Sequence, residues 1–201
     1  MRRIALTGGI ATGKSHVVAR FRHHGIPVVD ADVLSRESVA AGSPGLAAVV
    51  SRFGPDILSA SGTLDRERLG AIVFGDVDAR RDLEAIVHPF VRRGIEDFFA
   101  ALPASERFAV ADVPLLFETG RESQFHAVIV AACTPQTQLQ RVMERDGLTR
   151  ENAQRRIASQ WPIEEKVSRA DYVIRTDGSY AATDEQVDRL VKELRQDTLE
   201  N

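Results

Sequence analysis

Five short apolar runs rich in β-branched residues punctuate the chain: Arg3–Leu6, Ile26–Asp30, Phe108–Val113, Ala127–Ala131 and Tyr172–Arg175. Between them apolar positions recur at helical spacing. Strands alternating with helices in this way predict a parallel sheet covered on both faces. Val17 and Phe21, four residues apart, give the first helix one apolar stripe; Gly25 and Pro27 predict its end near His24. The last helix places Val187, Leu190, Val191 and Leu194 on one face, a stripe that packs on the sheet.

The stretch from 31 to 107, between the second and third strands, is far longer than one crossover helix needs. Gly42-Ser43-Pro44-Gly45 and Gly54-Pro55 read as turns. Leu83, Ile86, Val87, Phe90, Val91, Ile95 and Phe98 read as a helix over 81–99, which Pro89 is expected to kink or break because proline donates no backbone hydrogen bond. A helical lobe over 33–103 therefore stands apart from a core of 1–32 and 104–201. Residues 135–170 form another helical region, carrying Arg141, Arg145, Arg150, Arg155, Arg156 and Arg169. Asp146-Gly147 ends one helix there, Thr149 can cap the next, and Trp161-Pro162 breaks that one in turn.

Composition narrows the class. A chain of 201 residues with 43% apolar and 27% charged side chains has the make-up of one globular domain. Its formal charge of −3 argues against bulk nucleic-acid binding. Cys133 is the only cysteine, which excludes a disulfide framework or a thiolate metal cage. No apolar run has the length of a membrane span and no signal-peptide pattern opens the chain, so a cytoplasmic protein is expected. The basic residues are arginines except for Lys14, Lys166 and Lys192.

One of those rare lysines falls in Gly8-x-x-x-x-Gly13-Lys14-Ser15, which fits the phosphate-binding P-loop pattern in full. Glycines let such a loop turn successive N–H groups onto one anion, and the following helix adds its positive end. The lysine supplies a point charge for the outer phosphates, and the serine hydroxyl a ligand for Mg²⁺. Asp30-Ala31-Asp32 ends the second strand, where carboxylates beside phosphates imply either a metal ion or an acceptor hydroxyl giving up a proton. Alternatively, Asp32 caps a helix starting at Val33. Asp112 closes the third strand, either in a magnesium shell or as a surface acid before Pro114. Glu118 could equally partner a nearby arginine. Arg141 and Arg145 share a helix face and, with Arg150, either close over a nucleotide or form a solvated surface. The five histidines show no metal-ligand spacing, and Trp161 reads as a core residue.

The ordered set LTGGIATGKS (6–15), VVDAD (28–32), GTLDRERL (62–69), VHPFV (87–91), VPLLFE (113–118), TPQTQLQRVMERDGLTRENAQRRIASQ (134–160) and EEKVSRADYVI (164–174) resembles the dephospho-CoA kinase family over nearly the full length. The resemblance implies a P-loop NTPase-type α/β fold: a five-stranded parallel sheet flanked by helices, a helical CoA-binding lobe over 33–103 and a lid over about 141–165. It implies ATP-dependent phosphorylation of the ribose 3′-hydroxyl of dephospho-CoA, giving CoA and ADP, the final step of coenzyme A biosynthesis. Carried over residue by residue, it implies that Gly8, Ala11, Thr12, Gly13, Lys14, Ser15 and His16 hold ATP, with Ser15 on Mg²⁺. Asp32 would be the base at the acceptor hydroxyl, with Lys14 and Arg141 as its catalytic companions. Arg145 would belong to the nucleotide face, and His88 and Glu118 to the acceptor site. The chain departs from the family at His16, where threonine is common, and at Arg175-Thr176-Asp177-Gly178, which lacks the usual asparagine. The nearest rival is a kinase of nucleosides or nucleotides. A GTP-dependent switch is disfavoured because no Asn-Lys-x-Asp stretch occurs.

Overall fold

A computed structural model describes residues 1–196 of the chain. Backbone contacts divide the chain into two compact units, Met1–Val29 with the chain from Leu102 onward, and Asp30–Ala101. The first is built on strands β1 (Arg2–Gly8), β2 (Val28–Asp30, whose last residue begins the second unit), β3 (Phe108–Asp112), β4 (Ala127–Ala132) and β5 (Tyr172–Arg175). They form one sheet in the order β2-β3-β1-β4-β5. Strand β1 lies parallel to both neighbours, with Ile4 opposite Val110 on β3 and Leu6 opposite Ile129 on β4. Val130 of β4 in turn faces Val173 of β5. Every residue of β3 and β4 is buried, the reason these strands read as unbroken apolar runs rather than alternating ones.

Helix α1 (Lys14–His23) and the last helix of the chain share one core with the sheet. Val17, Val18 and Phe21 meet Ile4, Leu6, Phe108 and Ile129 there, together with Val187, Leu190, Val191 and Leu194. Each such side chain contributes about 1.5–3 kcal/mol by leaving water. Asp188 closes the outside of this contact: Arg20 donates to it twice, at 2.7 and 2.6 Å, and His24 lies 2.6 Å away. The Arg20 hydrogen bond, followed by that of His24, holds the Asp188 carboxyl well below the usual carboxylate range.

The second unit is helical: α2 (Ala31–Ser38), α3 (Pro44–Phe53), α4 (Arg66–Gly75) and α5 (Val77–Ala101). Val39, Val49, Ile57 and Leu69 form its core, with Phe53, Val73, Leu83 and Val87 packed around them. Of the kink or break expected at Pro89 in the helix over 81–99, the break does not occur, since α5 runs continuously through it. Pro89 and Ala85, whose carbonyl loses its partner, are both exposed, so water meets the free carbonyl while the buried Val91, Ile95 and Phe99 hold the helix in place. Nor does Asp32 cap a helix starting at Val33. Helix α2 starts at Ala31, and the Asp30 carboxylate takes the cap, accepting from the N–H groups of Asp32 and Val33.

The chain returns to the first unit through β3 and β4. Then come α6 (Pro135–Asp146), α7 (Arg150–Ala158) and α8 (Ile163–Ser168), and β5 and α9 (Tyr180–Gln196) follow. Thr149 caps α7, as its sequence position predicts, and Thr134 caps α6. Gly147, at φ 63°, ends α6 in the left-handed conformation that favours glycine. Among the described residues, no helix is long and apolar enough to cross a membrane.

Candidate active site

The site grows from the carboxyl end of β1. Gly8 is the last residue of that strand, and a Cβ there would lie 2.7 Å from the Ala131 carbonyl oxygen of β4, so only glycine lets the chain turn away at this point. The loop then tightens. Thr12 N–H donates to Gly9 O at 3.3 Å, and the Thr12 hydroxyl donates to the same oxygen at 2.9 Å. Ala11, the third residue of this turn, has φ +57°, the only positive φ of a non-glycine residue among the described residues. A positive φ at that position alone defines a type II turn, which glycine favours and an L side chain resists. Ala11→Gly is therefore expected to raise stability by about 1 kcal/mol in chemical denaturation; a lower stability would contradict the strain.

Gly13, at φ +81°, leads into α1 without a side-chain cap. Helices α2, α3, α4, α6 and α7 each carry such a cap, whereas no side chain caps the first amides of α1. Lys14 reaches across to the Asp112 carboxylate, at the end of β3. Asp112 is 3% exposed, which rules out the surface-acid reading. Ser15, next on the helix, is exposed.

Beside the loop opens a cavity of about 570 Å³, lined by Gly13, Ser15, His16, Arg141, Thr176 and Tyr180 among others. Arg141 is fixed at its wall: it donates to the Thr176 carbonyl at 2.6 Å and to the Thr176 hydroxyl at 3.2 Å. Thr176, buried just after β5, donates its hydroxyl to the Thr12 carbonyl at 2.7 Å. His16 stands 2.8 Å from Asp184, with the Tyr180 ring 4.6 Å from its own.

The structure thus gathers Gly8, Ala11, Thr12, Gly13, Lys14, Ser15, His16 and Arg141 into one neighbourhood. It does not place Arg145 there: that guanidinium pairs with Asp146 at 2.8 and 3.0 Å and does not line the cavity. Asp32 and His88 belong to the helical unit, on α2 and α5, where Asp32 is exposed. Among the described residues Glu118 partners Lys166, at 2.7 Å, rather than an arginine, and the same oxygen accepts from Trp161 N–H at 3.0 Å. Its other oxygen is buried with no hydrogen-bond partner among the described residues. Lys166 is fully buried and donates to the carbonyls of Gly8, at 3.1 Å, and Pro114, at 3.5 Å.

Sequence reasoning missed Lys166, Gln138, Gln160 and Thr176. Gln138 and Gln160 hydrogen-bond the carbonyl and N–H of Ile10 at the apex of the loop. Only Lys166 carried a signal, as a lysine in a chain that otherwise uses arginine. Among the described residues, no group of three or more His, Cys, Asp or Glu is arranged to hold a metal ion. Mg²⁺ still fits, because it needs only one or two protein oxygens when phosphates and water complete its shell, and the Ser15 hydroxyl supplies one.

Comparison with known proteins agrees with this geometry. The family model for dephospho-CoA kinase matches residues 2–182. A dephospho-CoA kinase from Anaeromyxobacter dehalogenans is 47% identical over 196 residues, covering 97% of this chain and 93% of its own. One from Enterococcus faecalis is 43% identical, with 94% and 96% covered. The solved structure of a dephospho-CoA kinase from Campylobacter jejuni aligns with a TM-score of 0.74 at 30% identity, covering 96% of each chain. Shikimate kinase from Acinetobacter baumannii, at 17% identity and a TM-score of 0.51 over 98% of this chain and 94% of its own, shares the fold alone. With a family match that begins before the phosphate loop and relatives that align along nearly the whole chain, the protein belongs to the dephospho-CoA kinase family.

Proposed function

We propose that the chain transfers the γ-phosphoryl group of ATP directly to the ribose 3′-hydroxyl of dephospho-CoA, releasing CoA and ADP. The observation that carries the reading is the loop from Gly8 to Ser15: its helix lacks a side-chain cap, and a lysine stands at its mouth. Such transfer makes few covalent demands on a protein, so positioning and charge neutralisation do most of the catalysis. The N–H groups of Ala11, Gly13, Lys14 and Ser15 hold the phosphate chain, those of Thr12 and His16 being turned to the carbonyls of Gly9 and Gly13, and Lys14 meets the charge that spreads over the moving group. Ser15 would hold Mg²⁺, which when bound neutralises phosphate charge and aligns the donor oxygens. Arg141, already fixed at the cavity wall by Thr176, adds a second cation.

Asp32 accepts the proton of the acceptor hydroxyl. Support comes from the capping pattern: Asp30 satisfies the start of α2, so the Asp32 carboxylate is not spent on the helix end. The arginine-bearing helices α6 and α7 form the lid side and exclude water, so that ATP is not merely hydrolysed.

The test is ADP release measured with dephospho-CoA, with mononucleotides and with no acceptor. Release should depend on dephospho-CoA, and the product should carry its new phosphate at the 3′ position. Equal release with a mononucleotide would reassign the acceptor. Release indifferent to any acceptor would mean an ATPase.

A further inference from the structure

Ile10 sits in the phosphate loop with both of its backbone groups taken by distant side chains. Its carbonyl accepts from Gln138 Nε2 at 2.9 Å, and its N–H donates to Gln160 Oε1 at 2.7 Å. The amide orientations are fixed by chemistry, since a carbonyl demands a donor and an N–H an acceptor. Gln138 belongs to α6, is 4% exposed, and passes so close to the loop that a Cβ on Gly9 would lie 2.6 Å from its Nε2.

The Ile10 carbonyl is half of the central peptide of the turn from Gly9 to Thr12. Type I and type II turns differ by a flip of that central peptide. In a trans peptide the carbonyl and the following N–H point in opposite directions. A hydrogen bond that draws the Ile10 carbonyl towards Gln138 therefore turns the Ala11 N–H the other way. Ala11 resists this state, because an L side chain at φ +57° is disfavoured. Something must hold the flip, and Gln138 is placed to do so.

We infer that Gln138, braced by Gln160, is a positioning residue: it locks the Ile10–Ala11 peptide in the orientation that presents the Ala11 N–H to the nucleotide phosphates. This rests on the proposed ATP site. Without Gln138 the turn relaxes towards type I, and that amide is lost to the anion.

Steady-state kinetics on the full chain test it. Gln138→Leu should raise KM for ATP about tenfold, the usual worth of one hydrogen bond to a buried group. KM for dephospho-CoA should not change. Adding Ala11→Gly, which makes the flipped turn intrinsically favourable, should recover about fivefold of that loss. An unchanged KM for ATP, or a loss that glycine does not recover, overturns the assignment.

Should Gln138→Leu fail to fold, the unaltered chain gives the answer by NMR. A non-hydrolysable ATP analogue should move the Ala11 amide resonance strongly and that of Ile10 hardly at all; equal movement of both overturns the assignment. The unaltered chain also keeps the two readings apart. Failure of its transfer rate to saturate with ATP would sink the proposed function, whereas saturation with normal behaviour of Gln138→Leu would sink only this inference.

Discussion

Lys14→Ala is expected to lower phosphoryl transfer about a thousandfold, the scale on which enzymes lose rate when one preorganised charge or donor is removed from a transition state. The ammonium group stands at the start of α1, where the helix end already favours anions, and it pairs with the Asp112 carboxylate. The same substitution removes this ion pair with the buried Asp112, so part of any loss reflects folding. The double variant Lys14→Ala/Asp112→Asn separates the two: stability should return while transfer stays low. Asp32→Asn should fail differently, with turnover down by about a hundredfold to ten-thousandfold, as expected for a lost general base, and ATP affinity by calorimetry unchanged. Normal turnover in Asp32→Asn would remove that residue from its role.

The largest stability effect is expected at Lys166. Its ammonium is fully buried against Glu118 and donates to two carbonyls, those of Gly8 and Pro114. Lys166→Met keeps much of the side-chain volume but strands the Glu118 carboxylate, one oxygen of which is already buried without a partner. Breaking a buried pair from one side costs about 3–5 kcal/mol, a large share of the 5–15 kcal/mol that typically holds a domain together. Chemical denaturation should show that loss, and Glu118→Gln in the same chain should restore much of it, because a neutral amide tolerates the site. A Lys166→Met protein within 1 kcal/mol of the parent would show that the pair contributes nothing.

What could be read from the residues alone was what is local. The loop from Gly8 to Ser15 announces itself because glycines, lysine and serine must be contiguous to wrap one anion. The buried strands announce themselves because both faces are covered. Strand order does not, since which strand neighbours β1 is decided by crossovers of many residues rather than by any short pattern. Pro89 shows a local rule losing to tertiary packing: the buried residues that follow it hold α5 together through the missing hydrogen bond. The sequence offers Asp32 as a helix cap, and only coordinates show that the helix starts earlier and that Asp30 takes the cap. Gln138 and Gln160 were invisible because the atoms they hold lie 128 and 150 residues away, and Lys166 carried only its rarity, since the carbonyl it meets lies 158 residues away. The segment from Gln160 to Lys166, expected in large part as lid, is tied by hydrogen bonds to the loop and to Glu118.

The distribution of the three lysines reaches beyond catalysis. Two serve the phosphate loop, and Lys192 on α9 is the one with an exposed side chain among the described residues. The positive surface is thus made almost entirely of guanidinium groups, whose planar donors meet a carboxylate with two bonds at once. Acylating reagents, which attack amines, find among the described residues a single ready side chain, Lys192, on which to attach a label or a support, well separated in sequence from the phosphate loop.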